Sequence, residues 1–198
     1  KIDILNKVIE HTPYTGWSLE TLKVSLGEIG ILNSLDSFFP GGIKDISRLY
    51  FDIADKKLEY DVENIDLENK SVRDRISYLL NLRLDFFSNN KQVIKQIIGS
   101  DFFNGFSLAP ISRINDSVDL MWRLAGDKSV DYNFYTKRIL LGGIYISSVL
   151  FWLDSENREE VSKFIDRRIA NVMKIEKNKK KFSSFFKKNK ILKQFRPI

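Results

Sequence analysis

The chain contains no cysteine in 198 residues. Disulfides, cysteine-ligated clusters and thiol catalysis are therefore excluded, and the composition suits a reducing compartment. Histidine is nearly absent: His11 stands alone. The usual zinc ligand sets and a serine–histidine triad with a spare base lack their parts. Proline occurs only at 13, 40, 110 and 197, which leaves long segments free to be helical. No basic segment followed by an apolar stretch opens the chain, so no secretory signal is expected.

What is present reads as an ordinary globular chain, 43% hydrophobic and 29% charged, long enough for one domain with appendages. The net charge of +6 is unevenly spread. Residues 174–198 hold ten Lys or Arg and one acid, while residues 1–173 hold 22 basic and 25 acidic side chains. The basicity belongs to the C-terminal tail, which suits an anionic surface.

Apolar residues recur at three- and four-residue spacing, the signature of amphipathic helices. Ile76, Leu79, Leu80 and Phe87 follow Ser71; Ile114, Val118, Met121, Trp122 and Ala125 follow Ser112, an expected N-cap; Val161, Phe164, Ile165, Ile169, Val172 and Met173 form the clearest stripe. Strand alternation and internal repeats are not evident. The fold class is all-α, a bundle of about nine or ten helices. Residues 1–60 are expected to form a helix-turn-helix-like head, with a first helix broken at Thr12-Pro13 and a second capped by Ser18. Residues 61–176 form the body, and 177–198 a basic amphipathic tail.

The run Ile139–Leu153 carries no charge over fifteen residues, about 22 Å of helix against a hydrocarbon core of about 30 Å. It is expected to be a core helix, with Gly142 and Gly143 offset by close helix contact. Trp122, Leu141, Tyr145, Val149 and Trp152 are the candidates for lining a lipid cavity, with Phe151 beside them. In the tail, Phe182, Phe185, Phe186, Lys187, Leu192 and Phe195 are the candidates for membrane binding, because a basic helix rich in Phe is an interfacial anchor.

Several motifs in series carry a family resemblance. They are Pro13-Tyr14-Thr15-Gly16-Trp17-Ser18, Phe39-Pro40-Gly41-Gly42, Trp122-Arg123-Leu124-Ala125-Gly126-Asp127, the run Asp131 to Arg138, Trp152-Leu153-Asp154 and Phe164-Ile165-Asp166-Arg167-Arg168-Ile169. This series resembles the ubiquinone-biosynthesis accessory proteins, the ninth of the Coq proteins, a lipid-binding family. The resemblance implies a TetR-like fold with a vestigial head, often dimeric, holding an isoprenoid quinone or phospholipid and sitting on a membrane through a C-terminal amphipathic helix. It also implies presentation of the quinone intermediate to a di-iron demethoxyubiquinone hydroxylase, with no cofactor of its own. Asp131, Asn133, Phe134, Tyr135, Lys137 and Arg138 would form the partner patch. The family usually has Trp where this chain has Phe134, which keeps an apolar anchor and loses the indole donor. The implied location is cytoplasmic on a bacterial inner membrane, or the matrix face of a mitochondrial one.

Two other functions compete. A TetR-type regulator needs a basic head, yet residues 18–50 hold Lys23, Lys44 and Arg48 against Glu20, Glu28, Asp36 and Asp45, so nucleic acid is not expected. An enzyme would have to be built on Asp154, Glu159, Glu160 and Asp166, which read as an exposed helix start and face, with no Glu-x-x-His ligand set.

Overall fold

In the computed structural model, which describes residues 1–103, 108–127 and 132–188, every regular element among the described residues is helical. The head comprises α1 (Ile2–Thr15), α2 (Leu19–Glu28), a 3₁₀ turn (Leu32–Ser34), the single-turn α3 (Leu35–Phe38) and α4 (Ile43–Val62). The body comprises α5 (Val72–Phe87), a second 3₁₀ turn, α6 (Lys91–Phe103), α7 (Leu108–Leu124), α8 (Tyr132–Asp154) and α9 (Arg158–Lys188).

Local signals account for most of these boundaries. Ser18 caps α2 by accepting from the Thr21 N–H at 3.2 Å, and Ser71 caps α5 by accepting from the Asp74 N–H at 3.2 Å. The expected break at Thr12-Pro13 does not occur. Pro13 lies inside α1; it costs only the bond to the Ile9 carbonyl, while Thr12 Oγ1 donates to the Val8 carbonyl one residue earlier. The helix ends instead at Gly16, whose φ of 81° only glycine adopts freely and whose N–H closes on the Thr12 carbonyl. The start of α7 also differs from expectation. It begins at Leu108, ahead of Ser112, with Pro110 in the first turn, where a missing N–H costs no helical bond.

Packing makes α5 the axle of the molecule, in contact with α4, α7, α8 and α9, while α1 packs on α2, α4 and α6. Trp17 and Phe39, each from a short N-terminal motif, are buried in the head. The Trp17 indole donates to Ser47 Oγ on α4 at 2.9 Å. These motif residues hold the head together.

Head and body are joined by a charge in the core. Arg83 on α5, whose side chain is 0% exposed, pairs with Asp55 on α4 at 2.6 Å. It also donates to Ser117 Oγ on α7 at 2.9 Å and to the Tyr145 hydroxyl on α8 at 3.4 Å, with its guanidinium 5.2 Å from the Phe87 ring. Burial pushes the Asp55 carboxyl above its ordinary value, against the pull of Arg83 and Ser117.

Candidate functional site

Four helices converge without filling the space between them. The first turns of α5, the C-terminal end of α7, the first half of α8 and the middle of α9 enclose a cavity of about 380 Å³, within the range of roughly 300–1,000 Å³ that small-molecule pockets occupy. Its walls are mainly apolar: Val72 and Ile76 from α5, Trp122 from α7 and Ala125 just past its end, Leu140, Leu141 and Ile144 from α8, Ile169, Val172 and Met173 from α9.

The polar groups around it have distinct duties. Arg75 donates to the carbonyls of Lys70 at 2.9 Å, Glu68 at 2.7 Å and Ala125 at 2.9 Å, so its fork clamps the end of α7 to the loop before α5. Gly126, at φ 83°, turns the chain there; a Cβ would sit 3.0 Å from the Arg75 guanidinium. Asp127 pairs with Lys137 at 2.6 Å and lies 3.7 Å from Arg138. The Trp122 indole donates to the Lys137 carbonyl at 3.1 Å, and the Lys137 ammonium stands 5.4 Å from its ring centroid. Arg73, exposed at the mouth, makes no hydrogen bond or ion pair among the described residues.

Helix α8 presents a second feature. Tyr135, Ile139, Ile146 and Leu150 are exposed, Tyr135 at 67% and Ile139 at 74%. Their spacing of four, seven and four places them on one face, with exposed Gly143 in its middle. The opposite face is buried through Leu141, Ile144, Tyr145, Ser148 and Trp152. Tyr135–Asp154 is long and apolar enough to cross a membrane by length and composition. Its charged start brings it to that length, beyond the fifteen uncharged residues. One side packs on α7 and α9, and Phe151 stacks on Phe164 of α9 at 4.3 Å, so α8 is a bundle helix with one open apolar stripe. Gly142 is buried, yet a Cβ added there would stand 3.9 Å from Ile114, an ordinary contact, and one added at Gly143 would meet nothing within 4 Å, so neither glycine is required by the close helix contact expected of the pair.

Of the residues expected to line a lipid cavity, Trp122 and Leu141 do so. Tyr145 and Trp152 are core residues, the first bound to Arg83 and the second 5.8 Å from the Lys91 ammonium, and Val149 packs half-buried against the same core. Of the expected partner patch, Tyr135 faces out, while Lys137 and Arg138 turn inward, Arg138 to Asp119 at 2.8 Å. Asn133 and Phe134 lie in the first turn of α8; Asp131 is outside the described residues. Phe182, Phe185, Phe186 and Lys187 belong to α9, which crosses the expected boundary at 176/177 without a break; Leu192 and Phe195 are outside the described residues. Two of the four carboxylates weighed for catalysis have side-chain partners: Asp166 accepts from Ser77 Oγ at 2.7 Å, and Glu159 pairs with Lys163 at 2.6 Å.

The α7, α8 and α9 walls of the cavity all fall in one stretch, residues 122–173. Residues 109–176 match the COQ9 family model. The resemblance read from the short motifs is thereby borne out. The chain is 23% identical over 184 residues to the mitochondrial ubiquinone biosynthesis protein COQ9 of Rattus norvegicus, covering 86% of this chain and 57% of the rat protein. It is 30% identical over 193 residues to the probable mitochondrial ubiquinone biosynthesis protein coq9 of Dictyostelium discoideum, covering 88% and 60%. The chain thus spans somewhat more than half the length of these relatives. Among solved structures it resembles a TetR transcriptional regulator from Nitrosomonas europaea, with a TM-score of 0.68 at 20% identity, over 85% of this chain and 95% of that one. The fold is TetR-like, with the expected all-α architecture.

Sequence reasoning did not find the α5 wall of the cavity. Val72, Arg73 and Arg75 read as an ordinary helix start, and only tertiary packing brings them to α7 and α9. Arg83 was also missed, although it stands four residues from both Leu79 and Phe87, on the apolar face of its helix.

Proposed function

We propose that this chain is a non-enzymatic lipid-binding accessory protein of ubiquinone biosynthesis. In this reading it takes an isoprenoid quinone intermediate or phospholipid at a membrane surface and presents it to a di-iron demethoxyubiquinone hydroxylase. One observation carries the reading: the apolar cavity is walled on three of its four sides by the residues that match COQ9. The relatives' names support ubiquinone synthesis as the pathway and a mitochondrial location, here the matrix face of the membrane.

The arrangement suits presentation. Lys137 stands at the cavity while Tyr135, two residues earlier, is exposed on the same helix, so a partner docked on the start of α8 would meet the mouth. Phe134 and Tyr135 supply aromatic anchors of the kind that dominate interfaces. A homodimer belongs to the same reading, and the open stripe of α8 offers it an apolar surface. Membrane attachment is assigned to the basic, Phe-rich end of α9 and the residues after it. A DNA-binding role finds little support: the head is acidic and α3, after the turn that follows α2, is a single turn.

The test is extraction from membranes. Purified protein is incubated with vesicles containing a demethoxyquinone, separated by flotation, and its lipid content measured by mass spectrometry. Quinone should leave with the protein, and hydroxylase turnover should rise when that complex is supplied. Protein that leaves with no lipid would overturn the reading.

A further inference from the structure

The charges at the cavity mouth are unequal in their freedom. Of the four charged residues lining it, Arg75 is consumed by three backbone carbonyls, and Asp127 and Lys137 neutralise one another at 2.6 Å. Arg73 is the exception: exposed, at the opening, and without hydrogen bond or ion pair among the described residues. An apolar interior behind an unpaired guanidinium is complementary to a molecule with a hydrocarbon chain and an anionic head. The chain replaces water in the cavity, and the fork-shaped cation meets a carboxylate or phosphate with two parallel donors.

With about 380 Å³, the cavity has room for hydrocarbon, since small-molecule pockets run from roughly 300 to 1,000 Å³. The α9 side ends at Met173, and the basic tail begins at Lys174. An acid-headed amphiphile held by Arg73 would thus have its head where the tail meets the anionic surface assigned to it.

We infer that the cavity prefers amphiphiles with an anionic head, a carboxylate or a phosphate, over neutral ones with the same chain, and that Arg73 is the residue that gives the preference. This rests on the lipid-cavity reading and adds a ligand class to it.

Titrations of the whole chain with laurate, dodecyl phosphate, dodecanol and inorganic phosphate at pH 8, followed by Trp fluorescence and calorimetry, test it. Laurate and dodecyl phosphate should bind about tenfold more tightly than dodecanol at low salt, with the advantage shrinking as salt rises. Inorganic phosphate alone should not bind. Arg73→Gln should abolish the advantage and leave dodecanol affinity unchanged; Arg73→Lys should keep part of it. Equal affinity for laurate and dodecanol, an advantage that survives Arg73→Gln, or inorganic phosphate binding as tightly as dodecyl phosphate would each overturn the selection while leaving a lipid cavity in place. Binding by none of the amphiphiles would overturn the lipid cavity as well.

Discussion

Removing the carboxylate that faces Arg83 is the most informative perturbation of the fold. In Asp55→Ala the guanidinium stays fully buried, with Ser117 Oγ at 2.9 Å and the Tyr145 hydroxyl at 3.4 Å as its remaining acceptors. Neither carries charge. Breaking a buried ion pair from one side costs about 3–5 kcal/mol. Asp55 is 21% exposed, so water can reach the vacated space and the expected loss is near 3 kcal/mol. Arg83→Met should cost less, about 1–2 kcal/mol, because it removes the buried charge and leaves a carboxylate that solvent can reach. The double variant Asp55→Ala/Arg83→Met should be more stable than Asp55→Ala alone, since no charge then remains unpaired in the core. Urea unfolding followed by circular dichroism measures all three. For a chain of this size the Asp55→Ala deficit corresponds to a fall in Tm of roughly 6–12 °C. A loss below about 1 kcal/mol, or a double variant with the summed deficits of the singles, would refute the argument that an uncompensated Arg83 is the dominant cost.

Other expectations follow from single positions. Gly143→Ala should stabilise the chain by about 1 kcal/mol, because helix propensity rises and the space beside it is open; a loss in urea unfolding would show a covered face. Gly126→Ala should destabilise by about 1–2 kcal/mol, since φ of 83° strains any Cβ and the new methyl meets Arg75 at 3.0 Å; unfolding within 0.5 kcal/mol of the parent, a surface-like value, would refute it. Tyr135→Ala should leave Tm nearly unchanged and weaken hydroxylase binding about tenfold, the loss typical of an interfacial aromatic anchor; undiminished binding in a pull-down titration would remove Tyr135 from the interface. Deleting residues 174–198 spares every residue lining the cavity. The shortened chain should still bind amphiphile but fail to float with anionic vesicles, and unchanged flotation would take the tail out of the membrane mechanism.

Much of the helical framework was legible because its signals are local. Ser18 caps α2 as expected, α5 starts just after Ser71 where its stripe begins, and the Val161, Ile165, Ile169 stripe is buried at helical spacing. The interior of α1 and the start of α7 were not, since Pro13 and Pro110 punctuate the sequence while costing little in a last or first turn. Helix α8 shows a different limit. Being apolar nearly all round, it carries no stripe to reveal its rotation, so Tyr145 and Trp152 could not be told from Leu141 before the neighbours were known. Which side faces the cavity is set by packing against α7 and α9, as is the meeting of Val72 and Arg73 with Val172 and Met173. Motif order held a different kind of information: the series from Pro13 to Ile169 pointed to the family that residues 109–176 match, without saying which of its residues line a cavity.

The central claim is that the space between α5, α7, α8 and α9 carries an amphiphile. Val172, half-buried on its wall, is the place to fill it. Native mass spectrometry of Val172→Trp after incubation with vesicles, compared with the parent chain, tests the claim directly. The account predicts a folded variant that has lost the bound lipid the parent carries. A folded variant holding as much of the same lipid would contradict it.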